Sequence, residues 1–243
     1  MPYRSLDPEK ILATAIALER RVAERFPDTG LRRIATELVA LTRDTARSAK
    51  ALEAPILWLR LTIAGLFVGG VLVFVYVGTF LSFGRLSQEA VGSVQSIEAA
   101  INTFVLATLG MAALVQLEAR IKRHRVSANL HGLRSVIHVI DMHQLTKDPA
   151  ALSESYRKTA ASPDRPFSAA ELARYLDYCA EMLSITGKLA ALYAQSVNDK
   201  GVAAAVNDIE TLGSNLSRKV WQKIMLIEAQ ASAKPKARPG SGA

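Results

Sequence analysis

Leu61–Phe83 reads LTIAGLFVGGVLVFVYVGTFLSF and carries no charged residue. At ~1.5 Å of rise per residue it makes a helix of roughly 34 Å, longer than the ~30 Å hydrocarbon core of a bilayer. A core helix of a soluble protein is seldom apolar on every side for that length, so a transmembrane helix is expected here. A second uncharged stretch, Ala99–Leu117, reaches about 28 Å by the same rise, just enough to span. It is the more polar of the two, with Asn102, Thr103, Thr108 and Gln116 inside it. Together they predict an all-α fold: a two-span transmembrane helical hairpin joined to a cytoplasmic helical bundle. The segments are residues 1–54, an N-terminal pair of helices, and 55–118, the hairpin, with spans near 58–83 and 99–117. A short external loop, 84–98, joins the spans. Residues 119–232 form the bundle, and 233–243 a basic Pro/Gly-rich tail expected to be disordered.

Charge sets the orientation. The formal net charge is +8, and it gathers beside the spans. Arg120, Lys122, Arg123 and Arg125 follow the second span against Glu118 alone; Arg43, Arg47, Lys50 and Arg60 precede the first against Asp44 and Glu53. The loop between offers only Arg85, beside Glu89 and Glu98. Lys and Arg collect on the cytoplasmic side, so both termini are expected there. With no cleavable signal expected, the first span would serve as an uncleaved anchor. Trp58 and Arg60 suit the interface, the indole at headgroup level and the guanidinium snorkelling. These basic flanks would attract anionic headgroups of the lipid bilayer by about 1 kcal/mol per residue. Nucleic acid is not needed to explain the charge. Ala- and Arg-rich usage points to a bacterial inner membrane.

Small residues mark the packing faces of the spans. Gly65 and Gly69, with Gly70 beside them, form a small-xxx-small pair; Thr103, Ala107 and Gly110 make a matching stripe. In lipid such residues let helix backbones approach closely. Packing between the two spans of one chain is the first expectation, and packing between copies in a homo-oligomer the second. Asn102 and Gln116 share a face, where an interhelical hydrogen bond is expected rather than a pore. No Asp, Glu, Lys, Arg or His lies deep in either span, so an ion or proton relay lacks its usual parts.

The remaining chain reads as helices. Asp7 and Pro8 start the first, with Ile11, Ala15, Leu18 and Val22 on one face, until Phe26-Pro27-Asp28-Thr29-Gly30 breaks it. Leu31, Ile34, Leu38 and Leu41 mark the second. After the second span the helix is expected to continue, with a coiled-coil-like seam of Val126, Leu130, Leu133, Ile137 and Ile140 weakened at Gly132. Asp148-Pro149 would start a short helix towards Lys158, and Pro163 and Pro166 mark a loop. Ser168 and Glu171 form a capping box before a helix with two adjacent apolar stripes, wide enough to be central in a bundle. After a turn at Asn198–Gly201, a last helix buries Val202, Val206, Ile209, Leu216, Val220, Ile224 and Ile227.

The chemistry-bearing residues are sparse. His124, His131 and His138 recur every seven residues, ~10.5 Å apart along a helix, too far for two to share a metal whose ligand bonds are near 2.1 Å. Only His138 and Asp141 are spaced to chelate together. A solvated or partner-facing stripe of His131, His138 and Asp141 is the expectation, with pH sensing as an alternative. Asp177 and Glu181 read as surface charges offset by Arg174 and Lys188. The single cysteine, Cys179, excludes an internal disulfide and reads as an inert core thiol. Trp221, among Arg218, Lys219 and Lys223, faces either membrane surface, partner or bundle. No nucleotide-binding, hydrolase or metalloprotease motif occurs. The expectation is therefore a non-enzymatic scaffold or interaction protein, without cofactor, presenting its bundle to a cytoplasmic protein partner or to its own copies. An oligomeric pore-forming or membrane-perturbing effector is the alternative, and a metal-dependent enzyme a third.

Overall fold

The computed structural model describes residues 5–83, 90–153, 156–157, 159–162 and 167–233. Of these, 87% are helical and none is in a strand. The helices are α1 (Pro8–Arg25), α2 (Gly30–Glu53), α3 (Leu57–Phe83), α4 (Ala90–Leu145), α5 (Ala169–Ser196) and α6 (Lys200–Ala233), with a 3-10 turn at Pro149–Leu152. The chain divides into two compact units: Met1–Ala51 with Val126–Ala243, and Leu52–Arg125.

In the first unit, local chemistry sets the helix starts. Asp7 Oδ1 accepts the Glu9 and Lys10 N–H groups at 3.0 and 3.4 Å, with Pro8 at the first helical position. The Ser168 hydroxyl accepts the Glu171 N–H at 3.3 Å while Glu171 accepts the Ser168 N–H at 2.8 Å, the expected capping box. Asp199 opens α6 by accepting the Gly201 and Val202 N–H groups. Between α4 and α5 the Asp148-Pro149 start is real, but it yields a single 3-10 turn rather than a helix towards Lys158. The Ser153 N–H closes that turn on Ala150. The loop prolines Pro163 and Pro166 lie outside the described residues.

Apolar periodicity sets the core. Val126, Leu130, Leu133, Ile137 and Ile140 are all buried, so the predicted seam is an inward stripe of α4, and Gly132 does not interrupt the helix. On α5 both stripes are buried: Tyr175, Tyr178, Met182, Ile185, Leu189 and Leu192, and beside them Leu172, Leu176, Cys179 and Leu183. Both α1 and α6 pack directly on α5. The Tyr193 hydroxyl ties α5 to α2 and α4 through Thr45, Ser48 and Asn129. Gly213 brings α6 close to α5: a Cβ there would lie 3.6 Å from the Leu183 carbonyl. The wide apolar arc of α5 is thus covered within one chain, as a central place in the bundle requires.

The second unit holds α3 and the first part of α4. Pro55 separates α2 from α3 by withholding an N–H. Helix α4 is already formed at Ala90, inside the stretch assigned to the external loop; residues 84–89 lie outside the description. Apolar side chains on both helices stand open: Phe67 is 60% exposed, Phe104 72% and Leu106 70%. A Cβ added at Gly65, Gly69, Gly70 or Gly110 would meet nothing within 4 Å. Thr103 and Ala107 are exposed as well. Among the described residues, nothing therefore packs on these four glycines. The tail expected over 233–243 falls, from residue 234, outside the described residues.

Candidate functional site

Where the two apolar helices meet their basic flanks, one carboxylate gathers the contacts. Glu118 accepts the Ile56 N–H at 3.4 Å, the Arg60 Nε–H at 3.2 Å and the Lys122 ammonium at 3.2 Å. The start of α3 is thereby tied to α4. Arg60 and Lys122 are engaged in this knot, whereas Arg120, Arg123 and Arg125 are exposed along α4, and Trp58 is exposed on α3. The sequence carried one hint of this: Glu118 is the only acid beside that basic run.

A polar network closes one end of the bundle. The Lys223 ammonium donates to the Gln144 carbonyl at 2.9 Å and to its side-chain oxygen at 2.6 Å. The Gln144 amide donates in turn to Asp141 Oδ1 at 2.6 Å. Burial lowers the Lys223 pKa, against the opposing pull of Asp148 and Asp141. Cys179 is within electrostatic range of Lys223 and Lys147, neither near it in sequence. Burial nevertheless dominates and pushes the thiol up to about 12, leaving it neutral and unreactive. Nearby, Phe26 meets Phe167 and Tyr175 edge to face at 5.5 Å, and the Lys147 ammonium lies 4.7 Å from the Phe167 ring centre.

His143 packs on the first residue of α2 so closely that a methyl on Gly30 would overlap the imidazole. Burial lowers its pKa, and Arg33 and Lys147 add to the effect. By contrast His124, His131 and His138 are exposed, and Asp141 is half-buried in the Gln144 network. The stripe of histidines is thus a surface stripe, while Asp141 faces into the bundle. Among the described residues, no three His, Cys, Asp or Glu side chains are placed to hold a metal ion.

A groove of about 530 Å³ runs along α5 and α6. Its floor is made of small residues, among them Ala180, Ser184 and Gly187 on α5 and Gly213 and Ser214 on α6. At one end stand Asp177, Glu181 and Trp221; at the other, Lys188 and Glu210. The two acids of the first end are held in place. Arg174 binds Asp177 at 2.8 Å, and Arg21 from α1 grips both oxygens of Glu181. Lys188 turns instead to the Ser184 hydroxyl at 2.6 Å. Trp221 is 51% exposed, so it belongs to the groove's rim rather than the core.

These features define an all-α protein with a helical bundle and two helices long and apolar enough to cross a membrane. No family model, curated protein or solved structure matches the chain.

Proposed function

We propose that this chain is a two-span integral protein of a bacterial inner membrane, with both termini cytoplasmic. It acts there as a non-enzymatic scaffold, presenting its bundle to protein partners. The observation that carries the membrane reading is the openness of the two apolar helices. A core helix of a soluble protein would be mostly buried; here almost none of either apolar window is. Each large apolar side chain stands to gain about 1.5–3 kcal/mol on leaving water, on the order of tens of kcal/mol over both helices. Hydrocarbon supplies that environment. A cleaved leader is disfavoured because α1 and α2 precede the first apolar helix and belong to the bundle, α1 packing on α5. The exposed cations Arg120, Arg123 and Arg125 would lie against anionic headgroups on the cytoplasmic side.

The scaffold reading rests on what the surface offers. The polar network is consumed by internal contacts and the thiol is neutral, so neither supplies a reacting group. The groove and the histidine stripe remain as faces for another protein. The test has two parts. Alkaline carbonate should leave the protein in the membrane pellet, and reporters fused to either end should be active only inside. Crosslinking in intact cells should then give a higher-mass adduct of the full chain; recovery of monomer alone refutes the scaffold.

A second reading is an oligomeric pore or membrane-perturbing effector. It is favoured by the open glycine faces at Gly65, Gly69, Gly70 and Gly110, which leave room for neighbouring copies. Ion conductance across planar bilayers holding the purified protein would support it, and silence of a correctly inserted protein would remove it.

A further inference from the structure

We infer that His143 is an acid-sensitive latch: neutral, it holds the start of α2 against the end of α4, and on taking up a proton it lets that start go. The inference stands apart from the scaffold reading, because it concerns contacts inside the bundle alone. Helices α1, α5 and α6 each open on a side-chain acceptor, Asp7, Ser168 and Asp199. Among the described residues no such acceptor caps α2. The Thr29 hydroxyl, just before its first residue, donates back to the Phe26 carbonyl at 2.9 Å instead. The first-turn N–H groups of α2 thus form a positive end without a capping side chain. The His143 imidazole lies against Gly30 there, in the space that a side chain on this residue would take.

Each charge that reaches the ring opposes a proton on it. Arg33 comes from the first turn of α2, and Lys147 from just beyond α4; both add to the effect of burial. Lys147 lies over the rings of Phe167 and Tyr175, at 4.7 and 5.1 Å. From α5, Tyr175 brings no charge, since burial raises its pKa and keeps it neutral. Among the described residues no carboxylate pulls the other way on His143. A neutral ring nitrogen is an acceptor and suits the positive end of α2, whereas an imidazolium has donors only. Protonation therefore sets a third cation beside Arg33 and Lys147 in a half-buried space, and separating α2 from α4 relieves it. The open site binds its proton near the ordinary 6.5 and the closed site only at lower pH, so the latch is shut above 6.5 and loosens below it. Opening uncovers Leu31 and Ile34, both buried when it is shut. Helix α1 keeps its hold on α5 through Arg21 and Glu181, and Phe26 through Tyr175, which confines the movement to the start of α2.

The experiment is amide hydrogen exchange of the full chain in lipid nanodiscs at pH 7.5 and 5.5, corrected for the intrinsic rate at each pH. Protection over residues 31–36 should fall at least about threefold on acidification, and at pH 5.5 it should stand at least about tenfold below that of α5, as a local opening requires. His143→Gln is neutral at every pH and should keep these residues closed at both. His143→Lys fixes a charge in the same place and should open them already at pH 7.5. His138→Gln, on the exposed stripe of the same helix, should leave the wild-type response unchanged. Wild-type protection that ignores pH, or a fall that survives His143→Gln, overturns the proposal. So does protection over 31–36 equal to that of α5, which would mean that only global unfolding exposes them. A His143→Gln variant open at both pH values also overturns it, because packing rather than charge would then be what holds α2.

Discussion

Gly213 sits where α6 packs on α5, and the size of the side chain placed there decides the sign of a substitution. A Cβ would lie 3.6 Å from the Leu183 carbonyl oxygen and 3.9 Å from Ile137 Cδ1, both ordinary van der Waals distances. Gly213→Ala therefore adds a methyl that fits. It also removes the entropic penalty of glycine inside a helix, about 0.8–1 kcal/mol. Gly213→Leu begins from the same Cβ but has to send its branch towards the Leu183 backbone, which cannot move without disturbing α5. Overpacking of that kind costs about 1–3 kcal/mol. Urea denaturation of the detergent-solubilised full chain, followed by pulse proteolysis of the bundle, reads both. With a slope of about 1–3 kcal/mol per molar, the Ala variant should move the midpoint up by roughly 0.3–1 M. The Leu variant should move it down. An Ala variant less stable than wild type would mean that the helices approach more closely than these distances, and equal midpoints for Ala and Leu would mean that they do not approach at all.

Stability should fall as the pH drops below about 6.5, because the folded chain holds His143 below its ordinary value while the unfolded chain does not. Unfolded chains then bind more protons, so the contribution is complete above 6.5 and is lost on acidification. Urea midpoints between pH 8 and 5 should show the slope, and His143→Gln should flatten it. Cys179 should resist thiol reagents at pH 8 in the folded protein and react stoichiometrically in urea; rapid native labelling would contradict its burial. Ser168→Ala removes the hydroxyl half of the capping box and should cost about 1 kcal/mol by the same denaturation assay.

What could be read from the sequence were the features whose partners lie within a few residues. Asp7 with Pro8, and Ser168 with Glu171, act inside one helical turn, and both starts are where the pattern put them. The seam from Val126 to Ile140 and the stripes of α5 are periodic, and periodicity survives without knowing the partner. Charge pairing is different. Glu118 looked like a lone acid among bases because Arg60 and Ile56 are 58 and 62 residues away. Lys223 reaches Gln144 across 79 residues, and no spacing rule announces such a pair. On α5 the sequence displayed the width of the apolar arc but not which helices cover it. Its width measured how many helices of its own chain surround it. The α5–α6 groove was invisible for a related reason: Ser184, Gly187, Gly213 and Ser214 are unremarkable until two helices set them side by side.

The tie between Arg21 and Glu181 spans 160 residues of chain. During synthesis α1 and α2 leave the ribosome long before α5 exists, and at 5–20 residues per second the wait is roughly 8–30 s. Under the membrane assignment, both hydrophobic spans would reach the translocon during this interval, so insertion precedes assembly of the bundle. The nascent N-terminal helices carry Leu18, Val22, Leu31 and Leu38, all buried in the finished fold. Birth order thus leaves these side chains waiting for part of their cover, and slowing translation ahead of α5 should lengthen the wait.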